Sequence, residues 1–79
     1  MRKTTKYFDA MRQRPDRLEI QPEWIEQVIA KPEKTMTQKD GRIRKWGKIP
    51  EMSDRYLRVI ILSDGETLHN AFFDRGFKL

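Results

Sequence analysis

Seventy-nine residues, 37% hydrophobic and 37% charged, predict one domain (1–79) with a small core. The absence of cysteine excludes disulfides, thiolate catalysis and thiolate zinc sites, and a single histidine leaves no conventional histidine-based metal site, so no cofactor is expected. No run approaches the roughly 20 apolar residues of a membrane helix, and the basic start "MRKTTKYFDAMRQRPD" has no apolar run behind it; the chain reads as soluble and cytoplasmic.

The net charge of +5 is unevenly placed. Residues 1–17 hold six basic and two acidic side chains, and residues 34–49 hold six and one. Residues 18–33, between them, hold one basic and four acidic. Two basic segments that fold to one side would make a surface for phosphate backbones or an acidic partner. Ordinary solvation of a small protein is the plainer account.

In chain order, "TTKYFDAMRQR" (4–14) predicts a first helix, capped by Thr4 or Thr5, striped by Tyr7, Phe8 and Met11, and stopped by Pro15. "RLEI" is expected to be extended or irregular, with Leu18 and Ile20 pointing the same way. "PEWIEQVIAKP" is the clearest helix. Pro22 suits its first turn, Trp24, Ile25, Val28 and Ile29 share one face, and Pro32 ends it.

The remainder alternates as strands. Segments 34–39 and 42–48 flank Asp40-Gly41, and "YLRVIIL" and "TLHNAFF" flank Asp64-Gly65, each an expected type I′ hairpin turn. The prediction is an α+β fold in which two N-terminal helices cover one face of a four-stranded antiparallel meander.

A two-residue turn at Asp64-Gly65 sets Leu62 opposite Thr67, Ile60 opposite His69 and Leu57 opposite Phe72. One face then carries Leu57, Val59, Ile61, Leu68 and Phe72, with Asn70 as its only polar member, and the second helix is its cover. The other face carries Tyr56, Arg58, Ile60, Leu62, Thr67, His69, Ala71 and Phe73, and also Arg75 if the strand continues. Arg44 and Trp46 are assigned to this open face, with Trp46 in the core as the alternative. Gly47 suggests a bulge.

The stretches "RPDRLEI", "EWIEQVIAKPE", "DGRIRKWGKI" and "YLRVIILSDGETLHNAFFDRGFK" resemble a family of short bacterial and cyanobacterial proteins of uncharacterised function. That family is similar in size and element order to the BrnT and RelE-type toxins of toxin–antitoxin pairs, which are ribonucleases. The resemblance implies helices on a small antiparallel sheet, metal-independent RNA cleavage on an open basic face, a ribosome-associated RNA substrate and a small antitoxin partner. The chain departs from the family at Gly76, where a basic residue is usual.

RNA cleavage without a metal needs a proton acceptor or donor and cations for the phosphorane. His69 is the candidate acid or base, and Arg58 and Arg75 are the candidate phosphate clamps. Arg42, Arg44, Lys45, Tyr56 and Lys78 form the expected nucleic-acid contact set, with Tyr56, Trp46 or Phe73 available to stack a base. Against this, a lone histidine on an exposed strand face is more often a solvated residue than a catalyst, and Arg58 and Arg75 read more often as surface residues or ion-pair partners of Asp54 or Asp74. Two functions follow: an endoribonuclease, or a non-enzymatic basic module that holds RNA or an acidic protein.

Overall fold

The computed structural model describes residues 2–78. Three helices, α1 (Lys6–Met11), α2 (Pro15–Leu18) and α3 (Pro22–Ala30), precede four strands, β1 (Lys34–Thr37), β2 (Ile43–Ile49), β3 (Arg55–Ile61) and β4 (Leu68–Phe73). The strands form one antiparallel sheet in the order β1-β2-β3-β4, the α+β meander expected.

The helices begin where local chemistry starts them. The Thr5 hydroxyl accepts from the Phe8 amide at 3.0 Å and caps α1. Pro15 does more than stop α1: it holds the first turn of α2, so "RLEI" is partly helical rather than extended. Within it Ile20 is buried and Leu18 is 64% exposed, so the two do not point the same way. Pro22 opens α3, and Lys31, pushed out of the helical region before Pro32 (φ −136°, ψ 67°), closes it.

The core lies between α3 and the sheet face it covers, here the near face. Ile25 and Val28 meet Ile49, Leu57, Val59 and Ile61, none of them more than 3% exposed. Gly47 carries no bulge, because β2 pairs β3 in unbroken register from Ile43 to Ile49. It is small because α3 crosses it: a Cβ there would lie 2.8 Å from Val28 Cγ2. The ammonium of Lys45, on the same face, donates to the Ile29 carbonyl at 3.0 Å and caps the end of α3.

Neither Asp-Gly pair forms a two-residue I′ turn. Gln38 pairs with Arg42 around a three-residue loop in which only Gly41 has positive φ (91°). Leu62 pairs with Thr67 as expected, but around a four-residue loop. There the Asp64 carboxylate accepts from the Thr67 hydroxyl and from the Thr67 and Glu66 amides, which hold it down at about 2.

The register of β4 differs from expectation. Ile61 faces Leu68 but Ile60 faces Asn70, so His69 is the extra residue of a β-bulge. Every later pair moves by one: Val59 faces Ala71, Arg58 faces Phe72 and Leu57 faces Phe73. Phe73, not Phe72, therefore packs against the core, edge-on to Trp24 at 6.3 Å. The physical reason is burial. Leu68 and Ala71 are three residues apart, an odd spacing, and only an extra residue lets both point into the core on the near face.

Both ends of the β4 edge are closed. Residues 3–5 add a short parallel bridge to it, with Leu68 donating to Lys3 and Thr5 to Leu68. Arg17 of α2 donates to the Asn70 side chain at 2.8 Å and to the Ala71 carbonyl at 3.2 Å. The β1 edge, by contrast, is exposed along its whole length.

Candidate nucleic-acid interface

The face away from α3, the far face, follows from strand parity. Lys34 and Met36 from β1 stand beside Trp46 and Arg44 from β2, and Lys48 follows Trp46 on the same side. Tyr56, Arg58 and Ile60 continue the face on β3, opposite Lys48, Trp46 and Arg44. Phe72 completes it on β4. Basic and aromatic side chains thus alternate across the four strands, and among the described residues the helices reach this face only through Arg17 of α2, whose guanidinium lies over the Phe72 ring at 5.2 Å.

The centre of this face is filled by the segment after β4. Asp74 is tethered by its amide to the Tyr56 carbonyl at 2.9 Å. One oxygen of its carboxylate, Oδ2, accepts three bonds: from Arg58 Nη2 at 2.6 Å, Arg58 Nε at 2.9 Å and Trp46 Nε1 at 3.0 Å. Burial pushes the Asp74 carboxyl up, but these bonds and the Arg58 charge outweigh it and hold the group below its ordinary value, so it is ionised at neutral pH. Phe77 lies flat on Trp46, with centroids 4.8 Å apart and planes 14° apart, and edge-on to Tyr56 at 4.9 Å. The Arg58 guanidinium also covers the Phe72 ring at 4.9 Å and the Trp46 ring at 5.5 Å. Trp46 is thereby both on the far face and 4% exposed, which joins the two placements its sequence position suggested.

Around this plug the cations are more open. Lys34 and Lys48 are exposed, and Lys48 reaches over the Tyr56 ring at 5.9 Å. Arg44 is half-buried, and its Nε has no hydrogen-bond partner. Arg42 is turned toward Asp40, 3.5 Å away. Glu33 is the neighbouring acid, and it is engaged by the Lys48 amide at 2.7 Å.

The residues singled out from sequence are only partly brought together. Arg58, Tyr56 and Arg44 share the far face, whereas Lys45 belongs to the near face, on α3. Arg75 and Lys78 are exposed in the segment after β4, and Arg75 lines a groove with Arg55, Tyr56, Phe73 and Phe77. His69 is not opposite Ile60. Its ring stacks on Tyr7 of α1 at 4.9 Å, and its Nδ1 lies 3.0 Å from the Thr5 hydroxyl. The same hydroxyl accepts from the Phe8 amide, so one side chain ties α1 to the bulge in β4. Burial, and secondly the positive charge of Arg42, push the His69 pKa down, so the ring is neutral at pH 7. Among the described residues, no three His, Cys, Asp or Glu side chains gather to hold a metal ion.

The ion pair of Arg58 with Asp74 is one the sequence suggested, whereas Lys34, Lys48 and Phe77 were not singled out. Lys34 and Lys48 were accessible through parity in the first hairpin. Phe77 carried no local signal, and neither did the bond from Trp46 to Asp74, which spans 28 residues.

No protein-family model, curated protein or solved structure matches this chain. The likeness to RelE and BrnT is one of general shape: N-terminal helices over a four-stranded antiparallel sheet. Among the described residues, no helix is long and apolar enough to cross a membrane.

Proposed function

We propose that this protein binds single-stranded RNA on the far face of its sheet. The observation that carries the reading is the pairing of Lys34, Arg44 and Lys48 with Trp46 and Tyr56 on one sheet face. Cations that track a backbone, set among rings that can stack bases, are the two parts a single-strand surface needs. A titration of labelled single-stranded RNA against salt tests it. Each phosphate contact adds about −0.7 to the slope of log K against log salt, so neutralising Lys34, Arg44 and Lys48 together should make it shallower by about 2. Lys45→Gln, on the opposite face, should leave the slope unchanged. A wild type whose affinity ignores salt, or equal effects from the two faces, rules the reading out.

Metal-independent RNA cleavage, with inhibition by a small antitoxin, is the second reading. It is favoured by the RelE/BrnT-like general shape. Here His69 is the base, and Arg58 and Arg75 hold the phosphate. His69→Ala should then slow cleavage of labelled RNA by roughly 10²–10⁴-fold, the range for loss of a general acid or base. Unchanged cleavage removes His69 from the chemistry.

A further inference from the structure

We infer that the segment Asp74–Phe77 occupies a nucleotide subsite of the far face, and that RNA enters the subsite by displacing it. The inference rests on the RNA-binding reading above and deepens it by naming where one base and its phosphate sit.

The occupant shows what the subsite selects. Three N–H donors from two residues, Arg58 and Trp46, converge on a single carboxylate oxygen. That is an anion site, and a backbone phosphodiester, with the same single negative charge as the carboxylate, satisfies the same donors. Beside it Phe77 lies nearly parallel to the Trp46 indole, the geometry in which a nucleobase stacks on an aromatic platform. An anion and a flat ring on adjoining contacts are the two halves of a nucleotide.

The hold on the segment is limited. Phe77 is only half-buried, Arg75, Gly76 and Lys78 are exposed, and the Phe77 amide reaches the Asp74 carbonyl at a long 3.4 Å. No helix or strand covers its outer side. A tethered occupant nonetheless competes at an effective concentration in the millimolar range, so a lone nucleotide displaces it poorly. A strand that also reaches Lys34, Arg44 and Lys48 gains several contacts at once and can displace it. This favours RNA over a short acidic peptide as the ligand.

The test uses the full chain and a labelled oligoadenylate long enough to span Lys34 to Lys48. In the wild type, RNA should shift the Trp46 indole N–H resonance (assigned with Trp46→Phe) as that proton exchanges Asp74 for phosphate. Phe77→Ala removes the stacked occupant and should tighten binding about tenfold, the equivalent of one aromatic stack. Asp74→Asn, which keeps the shape and removes the charge, should tighten it in the same direction. If Phe77→Ala melts too low to assay, Phe77→Leu keeps an apolar cover, loses the stack and should show the same sign.

RNA that binds with the expected salt slope, but leaves the Trp46 resonance still and gains nothing from these variants, overturns the subsite and leaves the RNA reading standing. No RNA binding by any form overturns both. A peptide bearing Asp-Arg-Gly-Phe that moves the Trp46 resonance when RNA does not assigns the subsite to a protein ligand and overturns the inference.

Discussion

The two faces of this sheet are both covered, but by different physics. On the near face, α3 buries Ile25 and Val28 against Ile49, Leu57, Val59 and Ile61, an aliphatic layer in which packing density sets the energy. On the far face, a short segment lays one carboxylate on an arginine and one ring on an indole. The first cover is indifferent to pH and salt and intolerant of any change in volume. The second depends on charge and on stacking and has solvent on its outer side. A small protein can thus hold its fold on one face and keep the other for exchange with a ligand.

Three measurements sharpen that contrast, beginning with the largest effect. Leu57→Ala or Ile25→Ala should lower unfolding free energy by about 2–5 kcal/mol in urea titrations, because each leaves a cavity under α3. Gly47→Ala should cost about 1–3 kcal/mol by overpacking against Val28, which has no room to retreat. Wild-type midpoints in these variants would show that the near face does not hold the fold.

The second measurement concerns Asp74→Asn, expected to cost about 1–3 kcal/mol, since the half-buried Arg58 loses its charged acceptor. Its signature lies in the pH dependence. The Asp74 carboxyl has a lower pKa folded than unfolded, so its contribution is complete above the unfolded value and is lost as pH falls through the folded one. The wild type should lose stability along that acid limb more steeply than Asp74→Asn, while the difference between wild type and Leu57→Ala stays constant with pH. Parallel acid limbs for wild type and Asp74→Asn would mean that the far face is not held by charge.

The smallest effect belongs to the β4 edge. Thr5→Ala removes the cap of α1 and the hydroxyl bonded to His69 Nδ1, and should cost about 1 kcal/mol. The His69 ring is neutral in the fold with a pKa below its unfolded value. The wild type therefore keeps this contribution above the unfolded pKa and loses it as pH falls toward the folded one. In His69→Gln that change, below the ordinary histidine range, should vanish from thermal melts. Its persistence would assign the titration to another group.

Much of the fold was legible along the chain. The i, i+1, i+4, i+5 spacing of Trp24, Ile25, Val28 and Ile29 identified α3 and its buried face, and alternation identified the strands. The far face was half legible: parity placed Arg44, Trp46, Tyr56 and Arg58 on it correctly. It failed at β4, where a uniform register made Asn70 the lone polar residue of a core face. That misfit was the available sign of the bulge at His69.

What the sequence by itself determined is whatever neighbours a few residues apart decide. Pro22 and Pro32 bound α3, the Asp-Gly pairs locate both hairpin turns, and hydrophobic periodicity divides each element into a buried and an open side. Tertiary structure alone decided the register beyond His69, the capping of α3 by Lys45 and the laying of Asp74 and Phe77 onto Arg58 and Trp46. The reason is physical. Shifting a strand by one residue, or folding a short segment over a face, changes almost nothing in local propensity. The choice is made by which side chains lose water together, and those side chains lie far apart in the chain.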